Sequence, residues 1–280
     1  MKFVLRVLRC DVFVHCGDKS ASTLLRECYS AFLIPGEEKA GPALSYEVSP
    51  GDRSGGWMLS CGETQIPCRD SYDLLYEFEK DMTERLQLLR ADLFFVHGAA
   101  LARAERCVII SGESGSGKSS LAWCLSHSGF QYLSDELAPI DPSTLDIEPY
   151  PHALCLKTEP LCAPVLPAST QHTIASKHVP AYELPARAAD QVCPLSFVVF
   201  IDTVLNGREL FVRRIGNAES AARLYSNGLN QLAHAGDGLP LVAAVARAVP
   251  SYLMSGGTLE ERARAVRELF DSADADRTAM

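Results

Sequence analysis

Eight consecutive residues, Gly112 to Ser119, constrain this chain more than any other stretch. They read Gly-Glu-Ser-Gly-Ser-Gly-Lys-Ser, a complete G-x-x-x-x-G-K-S phosphate loop. The run before it, Cys107-Val108-Ile109-Ile110, is short, apolar and rich in β-branched residues, which predicts a buried parallel strand. Ser119 to His127 has a helical pattern and stops at Gly129. Strand, loop and helix in that order are the context such a motif needs. Gly112, Gly115 and Gly117 let backbone N–H groups turn inward toward an anion, and the new helix adds its positive end. Lys118 supplies charge for the β- and γ-phosphates, and the Ser119 hydroxyl suits Mg²⁺. The expected nucleotide contacts are therefore Gly112, Glu113, Ser114, Gly115, Ser116, Gly117, Lys118, Ser119 and Ser120, with a nucleoside triphosphate and Mg²⁺ as the ligands.

The remaining chain bounds what surrounds that loop. With 280 residues, 47% of them hydrophobic, there is material for one large core or two modest ones. A net charge of −9 argues against nucleic acid or an anionic membrane as partner, although Arg213 and Arg214 form a local basic pair. No apolar run has the length of a membrane span, and charge interrupts the start, Met1-Lys2-Phe3-Val4-Leu5-Arg6, so a cytoplasmic location is expected. None of the ten cysteines has Cys-x-x-Cys spacing, and most read as small, reduced core residues.

The fold class read from the pattern is α/β: a phosphate-loop core over 93–272, preceded by a smaller α+β module over 1–92 and followed by a frayed tail at 273–280. In the module, Phe3 to Val14 reads as one strand or two, and Thr23 to Phe32 as a short helix. Ser45 to Val48 and Trp57 to Cys61 flank a turn-rich hairpin loop. Ser71 to Arg90 is the clearest helix, with Leu74, Leu75, Phe78, Met82, Leu86 and Leu89 on one face. In the core, Leu93 to Val96, Ala99 to Arg103 and Phe130 to Ser134 are strand candidates. Pro160 to Pro194 reads as a long irregular segment in which His172, Lys177 and His178 are solvated. Leu195 to Ile201 and Glu209 to Ile215 read as strands joined through Asn206-Gly207 in a hairpin. Helices are expected over Ala218 to Leu232 and Pro240 to Ala248. A capping box at Thr258 and Glu261 opens a last one.

Asp135 and Glu136 follow a predicted strand directly, at the sheet edge where α/β proteins bind ligands. His97 lies one strand before the loop. Together these residues resemble a family. His97-Gly98, a strand pair, the phosphate loop, a helix closing at Gly129-Phe130 and a strand ending Ser134-Asp135-Glu136 look like the core of the HPr serine kinase/phosphorylases. The segment Pro149 to Lys157 is closer to HPr-kinase-related proteins of bacterial peptide-modification loci. The resemblance covers Val96 to Pro160. It implies a mixed sheet with flanking helices and an ATP- and Mg²⁺-dependent serine kinase. Asp135 would be the general base, His97 would pair with Asp135 and orient it, Lys118 would stabilise the transferring phosphoryl group, and Ser119 and Glu136 would serve the metal. The acceptor would be a peptide or small protein, such as a modified-peptide precursor or an HPr-like carrier, and family members assemble into homo-oligomers. Lys157 and Arg214 are candidate phosphate contacts. The Glu-Ile-Arg-Gly-Leu-Gly stretch of the bifunctional enzymes is absent, so the resemblance does not extend to the phosphorylase half-reaction. No Leu-Ser-Gly-Gly-Gln signature points to a transporter ATPase. A small-molecule phosphate-loop kinase, which would show a compact acceptor pocket, and a non-catalytic nucleotide-binding regulator stay open as alternatives.

Overall fold

The computed structural model describes residues 1–35, 41–51, 55–160, 164–188, 190–202 and 209–278, the last six of these by backbone alone. The first half is a six-stranded sheet with two helices. Its strands are β1 (Lys2–Val7), β2 (Cys10–Cys16), β3 (Leu33–Ile34), β4 (Leu44–Pro50), β5 (Trp57–Cys61) and β6 (Thr64–Cys68), ordered β3-β1-β2-β4-β5-β6. The Phe3–Val14 stretch is two strands because Leu8 and Arg9 both turn at positive φ, the geometry of a tight hairpin. Helix α1 (Lys19–Cys28) starts earlier than its pattern suggests, since the Asp18 carboxylate caps Ala21 N–H. Helix α2 (Ser71–Leu89) is capped by Asp70 and buries Leu74, Leu75, Phe78, Met82 and Leu86. Leu89 is exposed rather than buried.

The second half is an eight-stranded mixed sheet. It comprises β7 (Phe94–Arg103), β8 (Arg106–Gly112), β9 (Gln131–Ser134), β10 (Leu137–Ile140), β11 (Asp146–Ile147), β15 (Cys193–Asp202), β16 (Phe211–Ile215) and β17 (Ser251–Ser255). A separate small sheet holds β12 (Leu154–Leu156), β13 (Gln171–His172) and β14 (Lys177–Val179). The two expected strands at 93–96 and 99–103 are one strand, β7. Its first half pairs with β10, and its second half pairs with both β8 and β9. The expected hairpin between the strands at 195–201 and 209–215 does not form. The unanticipated β17 lies between β15 and β16, parallel to the first and antiparallel to the second. Asn206-Gly207 itself lies outside the described residues.

Alternation along the strands explains why the sheet is covered on both sides. Val108 and Ile110 of β8 point with Phe197, Val199 and Met254 toward α3 (Lys118–Ser126) and α6 (Leu259–Thr278). Cys107 and Ile109 point with Val198, Phe200 and Leu253 the other way, toward α4 (Asn217–Ser226) and α5 (Leu239–Ala248). Helix α4 ends before Asn227-Gly228, shorter than the expected run to Leu232. Helix α6 opens on the expected capping box, with Thr258 N–H donating to Glu261 and Glu261 N–H to the Thr258 hydroxyl, and its backbone stays helical into the expected tail.

The two halves share a core. Leu93, Phe95, Leu137, Tyr150 and Ala153 are packed into the same apolar cluster as Leu5, Val14, Phe78 and Met82. A bidentate ion pair joins Arg90 to Glu148, with N–O distances of 2.9 and 3.0 Å. Among the described residues no helix is long and apolar enough to cross a membrane.

Candidate active site

The phosphate loop connects β8 to α3, as its flanks require. Gly112 passes so close to β15 that a Cβ there would lie 2.6 Å from the Ile201 carbonyl oxygen, which restricts the position to glycine. Gly117 caps α3 from the left-handed region at φ 95°, again a glycine conformation. Lys118 folds back over the loop, its Nζ donating to the carbonyls of Gly112 at 2.8 Å and Glu113 at 3.0 Å. Burial pushes its pKa down, and Glu136 and Asp135 oppose that shift. The Ser116 hydroxyl is buried without a partner. Glu113, Ser114 and Gly115 are exposed, and Ser119 and Ser120 are half-buried in the first turn of α3. Positive-φ glycines, a lysine resting on carbonyls and a buried hydroxyl with no partner among the described residues together fit a polyphosphate.

Strand order brings the acid pair beside this loop. β8 and β9 flank β7, both antiparallel to it, so both end at the same edge of the sheet. The two acids then diverge. Asp135 is fully buried. Its Oδ1 accepts from the Tyr132 hydroxyl at 2.8 Å and its Oδ2 from Cys155 N–H at 3.0 Å. His152 Nε2 lies 3.5 Å from Oδ1 and 2.8 Å from Glu79 Oε1 on α2. Burial raises the Asp135 pKa against the pull of His152. Burial also opposes charge on His152, but Glu79 and Asp135 outweigh it and lift His152 to about 9.

Glu136 instead faces open space, with a side chain 39% exposed. Its Oε2 lies 3.5 Å from His97 Nδ1. The expected pairing of His97 with Asp135 is therefore corrected: His97 meets Glu136, because Tyr132 and Cys155 hold both oxygens of Asp135 in the interior. Burial, then the charges of Asp135 and Glu79, raise Glu136 to about 7. Burial and the neighbouring Lys118 lower His97 to about 4, leaving a neutral imidazole.

Glu136 and His97 open into a cavity of about 640 Å³. One wall is a broad stripe of α2 from Tyr72 to Gln87, with Tyr76, Glu79, Lys80, Thr83 and Glu84 between them. That stripe spans about 22 Å at 1.5 Å per helical residue. The opposite wall includes Ser114 of the loop, Lys157, Ser176 and His178. Lys157 donates to the Ser114 hydroxyl at 3.0 Å, so this expected phosphate contact stands against the loop. Arg214 does not, being exposed on β16 opposite Tyr252. The segment expected to be irregular carries β13 and β14, and His178 is buried there against the Ser176 hydroxyl instead of solvated.

For a metal, the hard oxygen donors at hand are the Ser119 hydroxyl and the Glu136 carboxylate. Among the described residues no three His, Cys, Asp or Glu side chains are grouped to hold an ion. This fits Mg²⁺, which takes one or two protein oxygens and completes its shell with phosphate and water. Glu79, His152 and the polar stripe of α2 were not singled out from the sequence. The only signal for that stripe is the i, i+4 spacing of Tyr72 and Tyr76 along one edge of the apolar face.

Comparison with known proteins adds little to this geometry. No family model matches the chain, and no curated protein does. Among solved structures, the Hpr(Ser) kinase/phosphatase from Coxiella burnetii aligns over 66% of this chain and 95% of its own, at 12% identity and a TM-score of 0.34. A likeness at that level defines neither fold nor activity.

Proposed function

We propose that the chain is an ATP-dependent phosphotransferase that phosphorylates a serine in a peptide or small protein. The observation that carries this reading is a trough along α2 that also presents Glu136 and the phosphate-loop residue Ser114. Phosphoryl transfer asks a protein mainly for positioning and charge stabilisation, and the loop with Lys118 and Lys157 supplies both. The acceptor hydroxyl gives its proton to the Glu136 carboxylate. Its oxygen bonds to the γ-phosphorus as the bond to the β,γ-bridging oxygen breaks, and ADP leaves. Glu136 takes the role of base because a base must come within about 2.6–3.2 Å of the acceptor proton. Both oxygens of Asp135 are engaged inside the protein, so Asp135 serves to position the segment. His97, neutral, holds Glu136 in place. Mg²⁺, held by Ser119 and the phosphates, neutralises charge on the transferring group when bound.

The trough's length favours a peptide over a metabolite. A span of about 22 Å accommodates an extended chain of about six or seven residues at 3.3 Å each, whereas a metabolite kinase needs only a compact pocket. The test is mass spectrometry of a serine-peptide library incubated with the protein, ATP and Mg²⁺, with Glu136→Gln as control. A gain of one phosphate on serine, lost in the variant, is expected. Phosphate gained only by added metabolites, or equally with E136Q, would overturn the reading.

A further inference from the structure

A loop carbonyl that is turned away from water needs a hydrogen-bond donor of its own. One donor comes from far along the chain. Arg262, in the first turn of α6, donates from Nη1 to the Ser116 carbonyl at 3.3 Å and from Nε to the Gly256 carbonyl at 2.7 Å. Gly256 follows β17, whose end lies at the same sheet edge as the loop. The guanidinium also lies over Gly117, with Nη1 3.7 Å from where a Cβ would stand.

Its charge is uncompensated. Arg262 is half-buried, yet among the described residues no carboxylate forms an ion pair with it. Glu261, next to it, is committed to the helix cap. Proteins rarely leave a desolvated guanidinium without a counter-ion, because the lost hydration is costly. Burial alone acts on its proton affinity, pushing it down. The nearest place where negative charge can arrive is the loop it braces.

We propose that Arg262 belongs to the nucleotide site: a positioning residue that holds the phosphate loop's outer carbonyl to the β17–α6 turn and whose counter-ion is the bound polyphosphate. This rests on the nucleotide-binding half of the proposed function and not on the identity of the acceptor. The consequence is that α6 senses occupancy of the loop, because one side chain bridges both.

Calorimetric titration of Mg·ADP into the full chain tests this, using wild type, Arg262→Ala, Arg262→Gln and Lys118→Ala. Arg262→Ala is expected to weaken Mg·ADP binding at least about tenfold, or about 1.4 kcal/mol. Its KM for the acceptor should stay at the wild-type value. Millimolar guanidinium ion should restore part of the affinity. Wild-type affinity in R262A overturns the proposal. Should R262A fail to fold, R262Q decides: it keeps hydrogen-bond donors without charge, so a clear loss supports the proposal and full affinity overturns it. Wild-type protein that binds no Mg·ADP overturns both this and the proposed function. Binding without transfer to any peptide overturns the proposed function alone.

Discussion

The phosphate loop and the trough beside it are built in opposite ways. The loop is eight consecutive residues whose chemistry lies in the backbone, and β8 and α3 fix it at both ends. The trough is gathered from α2, β7, β12 and β14 and the turn at Leu229, so its residues range from 72 to 229. A backbone device is specified locally, by glycines and one lysine. A side-chain device exists only once the two halves of the chain have packed. The first half is therefore part of the site: without α2 the trough has one wall.

The comparison breaks most sharply at the loop. Lys118→Ala removes the cation from the phosphates and is expected to cut transfer by three orders of magnitude or more, weakening nucleotide binding as well. Nucleotide affinity and rate both at wild-type levels, measured by calorimetry and single-turnover kinetics, would show that the loop is not the nucleotide site.

The acid pair gives the next largest effect and separates the two roles. Glu136→Gln should lower the transfer rate about 10²–10⁴-fold. Asp135→Asn should keep the rate within about tenfold, since an asparagine can accept from Cys155 N–H and donate to the Tyr132 hydroxyl. In wild type, kcat/KM should climb with pH as Glu136 loses its proton near 7 and level off above. The opposite ranking of the two variants would return the base to Asp135.

How much of this was legible in the sequence follows the same division. The loop, the α2 apolar face and the Thr258–Glu261 cap were readable because each is written in neighbouring residues. The order β15-β17-β16 was not, since the short run Ser251–Ser255 gives no hint that it will separate two strands. Nor was the divergence of Asp135 and Glu136: their adjacency is visible, but which one is sealed depends on Tyr132, His152 and Glu79 closing around it. Arg262 had no local signal at all, since its meaning comes from a carbonyl 146 positions away.

The trough predicts a smaller effect, confined to the acceptor. Thr83 lies on the α2 stripe, nearer Gln87 than Tyr72, and is half-buried. Thr83→Trp should raise the peptide KM about tenfold and leave Mg·ADP affinity unchanged. An obstruction there should spare short acceptors more than long ones. Equal effects on a dipeptide and a seven-residue peptide would mean that the length of the trough is not used.

The smallest expected effect concerns the seam between the two halves. His152 holds its proton to about 9, above its ordinary 6.5, because Glu79 from the first half and Asp135 from the second outweigh the cost of burial. A folded-state pKa above the unfolded one contributes stability that is full below pH 6.5 and is lost as pH rises through about 9. Glu136 is half-ionised near 7 and almost fully ionised about one pH unit higher, so the interval above about 8 reports His152. The melting temperature should fall steadily between about pH 8 and 9. His152→Gln should melt lower at neutral pH, because Glu79 is left buried beside an uncharged partner, and its melting temperature should hardly change across the same interval. An equal slope in both proteins would show that the charge on His152 contributes nothing to holding the halves together.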